Sequence, residues 1–187
     1  MKTEAFKNQK ISIKESLKSD RKIILKAMIF IDAANIELSA KDLGFKIDYK
    51  KLYKYLAENY RIEYLGFYTV RFETKSHDNF LTVLKKSGYK LVTKPLKIIK
   101  NRDKELGDIR KANFDVEIAV DAMKFKNNFE TMILFSGDSD FDYLIKELKK
   151  NGKKVLVVSL SHHISKELIE SADYYLDLKK IKKQISR

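Results

Sequence analysis

A chain of 187 residues with 44% apolar side chains is long enough for one domain with its own core. The absence of cysteine excludes disulfides, zinc-thiolate sites and cysteine nucleophiles, and points to a reducing, cytoplasmic setting. The formal charge of +13 is unevenly placed: residues 1–26 carry a net +5, residues 178–187 another +5, and the 151 residues between them only +3. Most of the positive field therefore belongs to the ends, where it would attract a polyanion. No apolar run approaches the ~20 residues a membrane span needs, and no signal-type apolar block follows the basic start.

Residues 1–22 lack apolar periodicity and read as a basic N-terminal arm; the globular pattern runs from 23 to 178, and 179–187 reads as a basic C-terminal tail. Ile23 to Ile31 is a continuous β-rich run suited to a central strand covered on both faces. Asp48 can cap a helix bearing Leu52, Tyr55, Leu56 and Tyr60 at helical spacing. Ile62 to Val70 is strand-like, residues 76–87 form a helix stopped by Gly88, and Tyr89 to Thr93 form a third strand.

Pro95 to Arg110 holds the only proline and reads as a mobile basic loop. Asn113 to Asn127 is a predicted helix with Val116, Ile118, Ala119, Ala122 and Met123 mostly buried. Thr131 to Ser136 is a strand, Ser139 to Lys150 a helix ended by Asn151 and Gly152, and Val155 to Ser159 a further strand. A helix through Ile164, Leu168 and Ile169 and a short extended segment, Tyr174 to Leu178, follow. Strands alternating with helices imply right-handed crossovers and a mainly parallel sheet, an α/β fold.

Two apolar strands end in acids, at Asp32 and in Ser136-Gly137-Asp138-Ser139-Asp140. Each acid taken singly is also an ordinary turn residue or helix cap, and Asp140 a first-turn acid favoured by the helix dipole. Capping does not explain why two strands end alike or why the hydroxyls of Ser136 and Ser139 flank the carboxylates. Asn35, three residues after Asp32, can bond a carboxylate or phosphate from the same loop. On the helix after residue 113, Asp115 shares a stripe with Ala119 and Ala122, a surface open to close approach. Asp121 projects with Phe114 and Ile118 instead, so it reads as a supporting residue.

Carboxylates converging at a sheet rim repel unless a cation sits among them. Mg²⁺ or Mn²⁺ fits, because hard cations prefer oxygen ligands, and such a site supports hydrolysis of a phosphodiester. Lys111 precedes Asp115 by one turn and belongs with Lys100, Arg102 and Arg110 to a basic stretch able to meet phosphates.

Four segments together resemble the NYN family of PIN-like ribonucleases, particularly its bacterial LabA-like branch. They are Phe30-Ile31-Asp32-Ala33-Ala34-Asn35, the stretch Lys111 to Met123, Leu134 to Phe141, and Leu168 to Tyr175. The resemblance implies a Rossmann-like, PIN-like three-layer sandwich whose central sheet is mainly parallel in the order 3-2-1-4-5. It also implies a divalent-metal nuclease acting on RNA, with metal and catalytic roles on Asp32, Asp115, Asp138 and Asp140 and polar support from Asn35 and Ser136. A homodimer is a further expectation. Ala33-Ala34 stands where many relatives have a glycine, and Asn113-Phe114 where a smaller pair is common.

His162 and His163 lie between a strand and a helix, but neither has a ligand-type spacing with another histidine or acid, so capping or surface roles are expected. The leading expectation for function is a metal-dependent endoribonuclease. The alternative is an RNA-binding regulatory protein that uses the same fold without turnover. Aspartyl phosphatases and Toprim-like nucleases fit less well, because the first strand ends in Asp32-Ala33-Ala34, without a second acid two residues on and without a glutamate.

Overall fold

In the computed structural model, which describes residues 25–99, 109–111 and 113–187, the strand expected from Ile23 is β1, Lys26–Asp32. Its middle residues are all buried, and their side chains alternate between two cores. Ala27, Ile29 and Ile31 face one cluster with Leu52, Leu56, Leu84 and Ile185, while Met28 and Phe30 face another with Ile118, Ile145 and Leu148. Helices cover both faces, and the fold is a three-layer sandwich.

The chain continues through α1 (Ala33–Asp42), α2 (Tyr49–Asn59), β2 (Arg61–Arg71), α3 (Lys75–Lys86) and β3 (Lys90–Pro95). Asp48 caps α2 as expected, accepting from the amides of Lys50 and Lys51, and Gly88 ends α3 with φ of 93°. A hairpin of β4 (Lys97–Ile99) and β5 (Ile109–Lys111) leads to α4 (Asp115–Lys124). Then come β6 (Thr131–Phe135), α5 (Asp142–Lys150), β7 (Lys154–Ser159), α6 (Lys166–Ser171), β8 (Tyr174–Asp177) and α7 (Lys182–Ile185). Among the described residues the main sheet has six strands, ordered β3-β2-β1-β6-β7-β8, and every pairing in it is parallel. The expected order 3-2-1-4-5 is thus present and extended by a sixth strand.

Several expectations are corrected. The basic stretch read as a mobile loop from Pro95 to Arg110 is anchored at both ends: Pro95 closes β3, and Lys97–Ile99 pairs antiparallel with Ile109–Lys111. Residues 100–108, between those strands, and the arm 1–22 lie outside the described residues. Val116 is not buried but 72% exposed, because α4 turns only one narrow stripe to the sheet, through Ile118 and Ala122. The expected helix from Ser139 opens as a 3-10 turn, Ser139–Phe141, before α5 begins.

The C-terminal residues behave least like their charge. A 3-10 turn (Leu178–Ile181) and α7 place Leu178, Ile181 and Ile185 in the core, and backbone bonds from Asp48 N to Ile185 O (2.7 Å) and from Arg187 N to Lys46 O (3.0 Å) fasten the end. Apolar residues three and four apart make one face, and Lys179, Lys180 and Lys183 stay in solvent.

Candidate active site

β1 and β6 are neighbours whose ends coincide, with Ile31 paired to Phe135, yet the chain leaves β1 towards β2 and β6 towards β7, on opposite sides. Connections that diverge in this way leave a crevice at the carboxyl edge of an open parallel sheet. Asp32 and the segment Ser136 to Asp140 stand at that crevice because the first closes β1 and the second directly follows β6.

Asp32 is both cap and site residue. One carboxylate oxygen accepts from the amide of Asn35 (3.3 Å) at the start of α1, and the other from the hydroxyl of the fully buried Ser136 (3.5 Å). Asn35 in turn accepts from the amide of Gly137 through its side-chain oxygen (3.0 Å), and the Asp138 amide donates to Ser136 Oγ (3.3 Å). The two loops are therefore stitched by one polar network. Burial pushes Asp32 up to about 6, opposed by bonds from the Asn35 and Ala34 amides and reinforced by the charges of Asp115 and Asp138.

Asp115, Asp138 and Asp140 converge more tightly, each offering an oxygen within 4.8 Å of the other two. Asp138 caps the 3-10 turn by accepting from the Asp140 amide (3.1 Å), which holds both side chains on one short loop. A carboxylate has two oxygens, so this capping leaves another for a ligand. Asp115 begins α4, where its amide donates to Asn113 Oδ1 (2.8 Å). Burial and the nearby charges of Asp138, Asp140 and Glu117 raise Asp115 above the usual carboxylate range, against a lowering bond from Asn113. An oxygen-only set of mutually repelling acids suits a hard divalent cation. Asp32 sits outside this tight trio, drawn back by Asn35 and Ser136.

Ser139 is exposed on the 3-10 turn, and its carbonyl accepts from the Asp142 amide. Asp121 stands apart from the trio and accepts from the Tyr68 hydroxyl (2.8 Å), which also meets Tyr64 (3.2 Å). That half-buried bond places Asp121 in the packing between β2 and α4. Lys100 and Arg102 lie outside the described residues; Arg110 and Lys111 are in β5, opposite Ile98 and Lys97. Lys111 stands four positions before Asp115, so their Cα atoms are at most ~14 Å apart.

One contributor escapes a reading by motif. Lys94 on β3 donates to the Asn113 carbonyl (3.0 Å), pairs with Glu117 and lies 5.1 Å above the Phe114 ring, so it pins the end of α4 from which Asp115 projects. Gly137 packs so closely that an added Cβ would lie 2.1 Å from the His163 carbonyl oxygen. A groove of about 940 Å³ lined by Leu38, Phe45, Ile47 and Phe80 contains none of the site acids. The acids instead occupy the open sheet edge.

Comparison with known proteins agrees with this architecture. The NYN domain matches residues 26–179. The chain is 30% identical over 161 residues to the low amplitude and bright protein LabA of Synechococcus elongatus, covering 85% of this chain and 87% of that one. It is 36% identical over 72 residues to the uncharacterized protein MJ0482 of Methanocaldococcus jannaschii, 37% of this chain and 30% of the relative. A crystal structure of a protein of unknown function, VPA0982 of Vibrio parahaemolyticus, superposes with a TM-score of 0.71 at 24% identity, covering 86% of this chain and 96% of that chain, and shares the fold. No helix among the described residues is long and apolar enough to cross a membrane. The ordered motifs, the parallel sheet and these matches make the chain a member of the NYN domain family.

Proposed function

We propose that the protein is a divalent-metal-dependent endoribonuclease. The observation that carries the reading is the convergence of Asp115, Asp138 and Asp140 at the crevice between β1 and β6, with the half-buried Asp32 close enough to feel the charges of Asp115 and Asp138. Mg²⁺ or Mn²⁺ held by the trio would supply Lewis-acid polarisation of the phosphate and a more acidic water. Membership of a family of PIN-like nucleases supports RNA as the substrate class.

The residues divide the work. Asp115, Asp138 and Asp140 present oxygens to the cation and fix its place at the sheet edge. Ser136 and Asn35 hold the two loops at a constant separation, so the carboxylates are preorganised rather than mobile. Asp32 adds negative charge beneath the trio and strengthens its hold on a cation. Arg110 and Lys111, with Lys100 and Arg102 beside them in sequence, meet the phosphates of the RNA backbone before Asp115.

The test is a mixed RNA pool incubated with the protein in Mg²⁺, Mn²⁺ or EDTA, reading binding and cleavage together. Internal cleavage that needs the metal supports the reading. RNA bound with steep salt dependence but left intact under every condition would favour a binding module that uses the same fold.

A further inference from the structure

His162 and His163 lie in the turn between β7 and α6, outside the acid cluster, and the fold brings them to a partner that no spacing reveals. Asp42 is the last residue of α1, 121 positions before His163, and its Oδ2 lies 2.8 Å from His163 Nε2. The other ring nitrogen, Nδ1, is 2.9 Å from the hydroxyl of Ser39, which is fully buried on the preceding turn of α1. The rings of His162 and His163 meet edge to face with centroids 4.9 Å apart. Asp42, His162 and His163 each offer a ligand atom within 4.8 Å of the others.

We infer that Asp42, His162 and His163 form a second metal site, distinct from the acid cluster, that takes a borderline cation such as Zn²⁺. Two imidazoles and one carboxylate are a recurrent zinc donor set, with the fourth position left to water. A tetrahedral ion with bonds of ~2.1 Å separates its ligand atoms by roughly 3.4 Å, so the present spacing needs only small side-chain rotations. An imidazole that binds through Nε2 keeps its proton on Nδ1 and needs an acceptor there, and Ser39 Oγ is in place to be one. Asp42 is also the last residue of α1, so its carboxylate stands at the helix's negative end, which favours a cation there.

A plain ion pair would explain Asp42 and His163 but gives His162 no reason to converge on them. The turn is also braced rather than loose. The amides of His163 and Ile164 donate to Leu160 O (2.8 and 3.1 Å), and the Ser165 amide donates to Gly137 O (2.9 Å). Metal binding would therefore staple α1 to the turn that supports the Gly137 loop. Asp42 lies ten residues along α1 from Asp32, ~15 Å of helix axis, so the two sites are separable. Their donors separate them further, since nitrogen ligands favour Zn²⁺ and all-oxygen ligands favour Mg²⁺ or Mn²⁺.

The experiment uses the full chain stripped of metal and titrated with Zn²⁺ by calorimetry, with Co²⁺ as a spectroscopic probe. One site of micromolar or tighter affinity is expected, with the intense visible absorption of four-coordinate cobalt. His162→Ala and Asp42→Asn, both at exposed positions, should each weaken Zn²⁺ at least tenfold. Ser39→Ala should weaken it about 10- to 100-fold while leaving the ligands in place. Asp138→Asn should leave Zn²⁺ affinity unchanged. Binding no tighter than millimolar, or affinity indifferent to His162→Ala and Asp42→Asn, would overturn the site; so would loss of Zn²⁺ binding in Asp138→Asn.

Discussion

Two carboxylate-bearing loops sit side by side at the edge of the sheet and treat their acids differently. At the end of β1, Asp32 is half-buried, bonded on both oxygens and raised to about 6. After β6, the half-buried Asp138 and the exposed Asp140 share one short turn, and with Asp115 of α4 they form the tighter group. One loop keeps a charge under strain from burial, and the other presents charge to a ligand. The difference separates a residue that sets the field of the site from residues that can hold a cation in it.

The largest expected effect breaks the exposed side. Asp140→Asn should lower RNA cleavage on the order of a thousandfold, the scale of removing one preorganised electrostatic contact, with little change in melting temperature because the side chain is exposed. Steady-state cleavage and a thermal melt on the same preparation check it.

Gly137→Ala acts on the support beneath both loops. The new methyl would meet the His163 carbonyl oxygen at 2.1 Å and Ser159 Oγ at 2.7 Å, and backbone cannot swing aside as a side-chain end can. The overpacking should cost about 3 kcal/mol, a fall in melting temperature of roughly 6–12 °C.

Asp32→Asn sharpens the buried side. Because burial raises the folded-state value of Asp32 above its unfolded one, the folded protein binds the extra proton. The metal-free wild type should therefore gain stability as pH falls from 7 through about 6 towards 4, and lose it as pH rises. Keeping that carboxylate ionised at neutral pH costs at most about 3 kcal/mol. Asparagine is an equally good cap, so Asp32→Asn should raise the melting temperature of metal-free protein at pH 7 and flatten its dependence between pH 4 and 7. Melts across that range, with and without Mn²⁺, test the sign.

The smallest effect concerns the approach to the site. Replacing Arg110 and Lys111 together by alanine should weaken RNA binding uniformly across sequences and reduce the slope of log affinity against log salt by about 2. Salt titrations of binding in EDTA would show it, and an unchanged slope would remove these residues from the RNA path.

Much of this arrangement was legible in the residues. The continuous apolar run of β1, the Asp48 cap of α2 and the acids closing two central strands all carry local signals. Helix α1 carries a weaker one, since its buried face is Ala33, Ile36, Ser39 and Ala40, too small and polar to stand out. The C-terminal segment shows how composition can mislead: five basic side chains mask Leu178, Ile181 and Ile185, whose spacing already describes a buried face. The sequence of β8 signals only a short extended segment, and its register against β7 makes it a sixth strand. The pairing of Asp42 with His163 has no sequence signal, because it depends on where α1 ends relative to a turn more than a hundred residues later.

The contrast between the two loops is tested most directly by the rate at which wild type and Asp138→Asn cleave a labelled mixed RNA pool in Mn²⁺. Wild type should cut internally and stop in EDTA, while Asp138→Asn, folded and still binding RNA, should lose that activity by on the order of a thousandfold. Metal-stimulated cleavage at the same rate in both proteins would contradict the assignment of the trio.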